Sequence, residues 1–129
     1  MTLETMRPTP TWDATAYRET VETFESVREE ITVKVWGADW CGDCRGQLPE
    51  FAAALDAAGV SDDRIEQLPV EKREDGSKEG PDVEEYGIEY IPTVVIERDG
   101  EELARFVEEE PVPIAVYLAD RIEEAEVTA

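Results

Sequence analysis

The sequence predicts an α/β domain in which a mixed four-stranded sheet, a parallel pair extended by a C-terminal hairpin, carries helices on both faces. Three observations lead there. Apolar periodicity switches between helical and strand-like spacing in the order α-β-α-β-α-β-β-α. The first two strand-like runs are separated by a helical segment, as a parallel crossover requires. The last two are joined through Asp99-Gly100, the strongest short-range hairpin signal.

Taken in order, Met1 to Pro10 carry two prolines and no pattern, and are expected to form a flexible lead-in to a domain over 11–129. From Trp12 to Glu29, Ala14, Tyr17, Val21, Phe24 and Val27 recur at three and four, one face of an amphipathic helix. Ile31–Trp36 is a short β-branched run, expected as a strand covered on both faces. Cys41–Ala58 reads as a helix with Leu48, Phe51 and Leu55 as its apolar stripe and Gly59 as its stop. Arg64–Val70 is a second strand that must end at Pro69.

Lys72–Gly80 is a charged loop, and Asp82–Tyr86 allows one or two helical turns at most. Thr93–Arg98 and Glu102–Val107 are the hairpin strands. Pro113–Ala125 closes the chain as a helix with Ile114, Leu118 and Ile122 on one stripe.

Composition narrows the function. The chain has 129 residues, enough for one domain, and 41% are hydrophobic, which favours a folded globule over a disordered chain. Acids number 33 against 12 bases, a net charge of −21 spread along the whole length. Such an excess excludes nucleic acid as a partner and costs stability through self-repulsion at low salt. High intracellular salt, which screens that repulsion, explains it best, so a halophilic source is expected, with an ordinary acidic protein that has a basic partner as the alternative. No apolar run approaches the length of a membrane span, and Met1–Pro8 lack the basic flank and apolar stretch of a signal peptide. A cytoplasmic location away from membranes is the expectation.

There is no histidine, which removes Ser–His and Cys–His pairs and most zinc chemistry. The two cysteines, Cys41 and Cys44, cannot complete a four-ligand zinc site alone. The loop they close is also too small to staple a fold. What remains is a dithiol that opens to two thiols and closes to a Cys41–Cys44 disulfide. Trp40-Cys41-Gly42-Asp43-Cys44 lies where a strand hands over to a helix. There the unpaired N–H groups and the helix dipole favour thiolate on Cys41. Cys44, three residues on, can resolve a mixed disulfide formed on Cys41. A lone C-x-x-C is a weak signal.

The wider pattern resembles the thioredoxin family. Ala38-Asp39-Trp40-Cys41-Gly42-Asp43-Cys44 is similar to its active-site segment, in the W-C-x-D-C variant, with Pro49 where the active-site helix is kinked. Tyr86-Gly87-Ile88-Glu89-Tyr90-Ile91-Pro92-Thr93 matches its second signature, which ends in a cis-proline. The resemblance runs from about Trp12 to the C-terminus, without the family's extra N-terminal strand. It implies a thioredoxin fold and a protein-disulfide reductase with Cys41 as nucleophile and Cys44 as resolving thiol. No metal or organic cofactor is implied. Trp40, Gly42 and Ile91, with Asp43, Pro92 and Thr93, would meet the substrate, and a separate reductase of the thioredoxin-reductase type would recharge the dithiol. The protein would act as a monomer. A glutaredoxin-like reductase using small thiols and a thioredoxin-fold interaction module without turnover stand as alternatives.

Three departures bear on this resemblance. Asp43 sets a carboxylate against the helix dipole between the cysteines. The family's buried acid and its lysine partner correspond to Val35 and Gln67, leaving proton handling for Cys44 to water, Asp39 or Asp43. Acids at Glu108 and Glu109 replace the small residues usual beside the substrate groove. Arg45, one residue past the motif, either supports a thiolate or is solvated. Finally, Lys34 puts an ammonium in the middle of an apolar strand, at a cost of several kcal/mol if left buried and unpaired. Alignment by resemblance sets it beside Glu66. Either the two pair across the strands, or Lys34 reaches solvent past its neighbours.

Overall fold

The computed structural model describes residues 3–72, 74, 78–108 and 110–128, with backbone only at 78 and 126–128. The order is α1 (Arg18–Val27), β1 (Ile31–Gly37), α2 (Gly42–Ala58), β2 (Ile65–Pro69), the short strands β3 (Glu71–Lys72) and β4 (Lys78–Glu79), β5 (Thr93–Arg98), β6 (Glu101–Val107) and α3 (Ile114–Thr128). The main sheet runs β2-β1-β5-β6. β1 is parallel to β2 and antiparallel to β5, and β5 is antiparallel to β6. This is the expected parallel pair plus hairpin. Asp99 and Gly100 turn the hairpin with φ of 53° and 81°, the left-handed pair that a two-residue connection demands.

Strand alternation divides the sheet into two chemically distinct faces. Ile31, Val33 and Val35 of β1 register with Arg98, Ile96 and Val94 of β5, and Val94 with Phe106 of β6. All of these apolar residues are fully buried. α2 packs on this face: a side chain at Gly37 would meet Leu48 at 3.0 Å and Cys44 at 3.4 Å. α1 joins through Phe24, edge-on to Phe51 at 6.3 Å, and α3 through Tyr117 against Phe106 at 5.6 Å. Thr23 of α1 also donates to Glu123 of α3.

The opposite face has a different cover. Residues 81–87 are consecutive turns, not a regular helix. Trp36 donates its Nε1–H to the Pro81 carbonyl at 2.8 Å, and the Tyr86 ring stacks obliquely on it at 4.9 Å. Three helices share one face and turns seal the other, because Asp82–Gly87 is too short and too acidic to sustain a helix. β1 is consequently half-exposed at Thr32 and Lys34.

Lys34 is paired. Its Nζ lies 2.6 Å from Glu66 and 4.0 Å from Glu97, and 5.5 Å from the centre of the Tyr86 ring. Tyr86 donates to Glu97 at 2.7 Å, and Arg105 donates to the Tyr86 carbonyl at 2.8 Å. Burial alone would lower the Lys34 pKa; the Glu66 hydrogen bond and charge, with Tyr86 and Glu97, outweigh it and raise the value.

Three local expectations also change. α1 begins at Arg18, not Trp12, because Asp13 accepts from the Thr15 and Ala16 amides and holds the chain in a side-chain-capped turn. Within the Lys72–Gly80 loop, Glu71–Lys72 pairs with Lys78–Glu79; Arg73 and residues 75–77 lie outside the described residues. The lead-in is the larger correction. Met1 and Thr2 lie outside the described residues, but Leu3, Thr5 and Met6 are buried around a 3-10 turn at Glu4–Met6. The Leu3 amide donates to Gln67 Oε1 at 2.7 Å, Thr5 to Asp39 Oδ1 at 3.0 Å and Thr9 to the Pro49 carbonyl at 3.2 Å. Two isolated apolar side chains between polar residues leave no periodicity to read, yet they anchor the segment to α2.

Candidate active site

β1 ends at Gly37, and Ala38–Trp40 carries the chain into α2. Cys41 is the N-cap of that helix, with extended backbone, and its Sγ accepts the Cys44 amide at 3.3 Å. A sulfur thus takes the place of the usual capping oxygen, using one of the helix's four otherwise unpaired N–H groups. Both cysteines are free. Cys44 lies one turn inside α2 and is fully enclosed, whereas Cys41 retains slight exposure. Burial foremost, then hydrogen bonding to Cys41, pushes the Cys44 thiol well above its ordinary value. The charges of Cys41 and Asp43 add to the rise, and the Ala38 backbone partly offsets it.

The Ile91–Pro92 peptide is cis, and the Ile91 carbonyl oxygen lies 3.9 Å from Cys41 Sγ. The two signature segments, about fifty residues apart in sequence, therefore meet at the dithiol. Trp40 is 49% exposed, its Nε1–H anchored to the Val70 carbonyl at 3.2 Å. Gly42 and Asp43 are exposed beside it. Thr93 does not belong to this surface: its side chain is buried and its hydroxyl donates to the Tyr90 carbonyl at 2.6 Å. Strand alternation sends Thr93 to the Trp36 side of the sheet. Tyr90, 52% exposed, is the aromatic that the second signature adds outside the core; a tyrosine in a turn carried no pattern to mark it.

The departures take physical form. Val35 is fully buried, and Gln67 is occupied by the Leu3 amide. Asp39 is engaged by Thr5, and Arg45 is exposed and donates to the Asp39 carbonyl at 2.9 Å. Arg45 thus braces the entrance to α2. Glu108 adopts φ of 55°, a left-handed conformation that disfavours a branched backbone substituent. It is held by its amide donating to the Pro92 carbonyl at 2.7 Å and its carbonyl accepting Gln47 Nε2 at 2.9 Å. Glu109 lies outside the described residues. Among the described residues, no three His, Cys, Asp or Glu side chains converge as a metal site. Nor is any described helix long and apolar enough to cross a membrane.

The sheet order, the N-capping cysteine and the cis-proline define a thioredoxin fold with a dithiol at the helix start. The thioredoxin family model matches residues 9–120, and the chain belongs to that family, whose members are thiol–disulfide oxidoreductases. Among solved structures, it is similar to a malarial protein at 22% identity, covering 74% of this chain and 97% of that one, with a TM-score of 0.52. It is likewise similar to mitochondrial thioredoxin 3 from Saccharomyces cerevisiae at 20% identity, covering 81% and 89%, with a TM-score of 0.51. At these identities the likeness speaks to the fold alone. No curated protein matches the sequence.

Proposed function

We propose that this protein is a protein-disulfide reductase in which Cys41 is the nucleophile and Cys44 the resolving thiol. The Cys41 thiolate attacks one sulfur of a substrate disulfide, forming a Cys41–substrate disulfide and releasing the other sulfur as a thiolate. Cys44, losing its proton to water, attacks Cys41 Sγ. The Cys41–Cys44 disulfide forms and the second substrate sulfur leaves as a thiolate. Two electrons have moved from the dithiol to the substrate, and a separate reductase of the thioredoxin-reductase type returns them. The observation that carries this reading is the Cys44 amide directed at Cys41 Sγ from the first turn of α2, at 3.3 Å, with Cys44 itself enclosed. One sulfur caps the start of the helix while the other is withheld in the interior until a mixed disulfide forms.

Trp40, Gly42 and Asp43 would form the exposed substrate surface, with the buried Ile91 and Pro92 lining it through their backbone, and the exchange needs no metal or organic cofactor. The protein would work as a monomer in the cytoplasm of a halophile. Its net charge of −21 supports the halophilic assignment. The test is reduction of insulin disulfides in multimolar KCl with dithiothreitol as donor. Catalysed precipitation of the insulin B chain is expected, and a rate no higher than that of dithiothreitol alone would refute the reductase.

A further inference from the structure

A groove of about 410 Å³ opens beside the dithiol. Its floor is one face of α2, where Asp43, Gln47, Glu50 and Phe51 recur at helical spacing. Its walls are the approach to α3, from Glu110 onward, and the segment that precedes α1. That segment contributes Trp12 and Tyr17, whose rings stack in parallel at 5.3 Å. The groove is continuous with the active site, because Asp43 belongs both to its floor and to the segment between the cysteines.

Its charge is one-sided. Three carboxylates, from Asp43, Glu50 and Glu110, line it, and no lysine or arginine does. None of the three has an ion pair or side-chain hydrogen bond among the described residues. The Gln47 amide is spent on the Glu108 carbonyl. The first turn of α3 offers only about half a positive charge against them. An aromatic pair beside unpaired carboxylates is complementary to a guanidinium or ammonium carried on an apolar stem, which gains from both the ring faces and the opposite charge. The volume accommodates one such side chain with its flanking backbone.

We propose that this groove docks a basic side chain, arginine or lysine, lying close in sequence to the disulfide of the polypeptide substrate. The proposal rests on the reductase reading and adds the substrate class to it. Cys41 chooses the sulfur, and the groove chooses among disulfides by what flanks them.

The test uses three synthetic peptides that share one disulfide and differ only in flanking residues: arginine, glutamine or leucine. Rates are measured at the lowest KCl concentration that keeps the chain folded and again in molar KCl. The arginine peptide is expected to show kcat/KM about fivefold above the glutamine peptide, mostly through KM. That preference should shrink with salt and fall to near unity in the Glu50→Gln/Glu110→Gln double variant. Equal rates on arginine and glutamine peptides, a preference unchanged in the double variant, or a preference for leucine would overturn the proposal. A fourth arm separates it from the reductase reading. Calorimetry with a disulfide-free arginine peptide reports on the groove even if no peptide is reduced, and absence of binding there would also overturn it.

Discussion

Consider Glu66→Gln, which keeps the shape of the partner of Lys34 and removes its charge. The Lys34 side chain is 13% exposed and Glu66 is 49% exposed, with 2.6 Å between them. A hydrogen bond between charged groups contributes about 1.5–3 kcal/mol when well enclosed. Half-exposure of the carboxylate screens part of that, and glutamine can still accept the ammonium, so the loss should be about 1 kcal/mol. For a domain of this size that lowers Tm by roughly 4 °C. Lys34→Met supplies the control, because with no ammonium to pair, Glu66→Gln should then cost almost nothing. The double-mutant cycle, from chemical denaturation of the four proteins, should give a coupling near 1 kcal/mol. A coupling below about 0.3 kcal/mol would refute the pairing as a source of stability. The pH dependence has a definite sign. The Lys34 pKa is raised in the folded state, so its stabilisation is fully present below the ordinary lysine value of 10.5 and lost as pH climbs through the higher folded value.

Removing Met1–Arg7 uncovers the apolar surface under Leu3 and Met6, both buried, and should cost roughly 3 kcal/mol, or about 10 °C in Tm. A truncated chain that melts within ~2 °C of the full one would contradict the anchoring of this segment, a difference well inside the effect of a single kcal/mol. Gly37→Ala places a methyl 3.0 Å from Leu48 and 3.4 Å from Cys44, and should cost about 1–2 kcal/mol by denaturant titration. A variant as stable as the parent would mean that Leu48 yields freely. Tm should rise from dilute buffer to molar KCl as salt screens the 33 acids; a flat profile would remove the case for adaptation to high salt.

What the sequence disclosed followed the strength of its local signals. The apolar runs of β1 and β5, the crossover helix and Asp99-Gly100 disclosed a parallel pair extended by a hairpin, while the resemblance to the thioredoxin family set Lys34 opposite Glu66. The dithiol was legible because two cysteines and no histidine leave few alternatives. The features that escaped depend on single long-range contacts. Nothing local marks Gln67 as the acceptor for the Leu3 amide, or Asp39 as the acceptor for Thr5. Helical spacing over Trp12–Tyr17 was genuine, but Asp13 outcompeted it with a side-chain turn. Thr93 lay in the signature by position while alternation turned its side chain to the far face. The groove escaped for a related reason: Trp12, Glu50 and Glu110 are far apart in the chain and each looks like an ordinary surface residue.

The division of labour between the cysteines is tested most directly by intact-mass spectrometry of two variants exposed to one disulfide-containing protein. Cys44→Ser should accumulate a covalent adduct on Cys41, because the attacking sulfur is presented at the helix start and its resolving partner is gone. Cys41→Ser should stay unmodified over the same period, since the remaining thiol is enclosed and its pKa is pushed up by burial. Adducts forming faster on Cys44 than on Cys41, or on neither, would contradict the account.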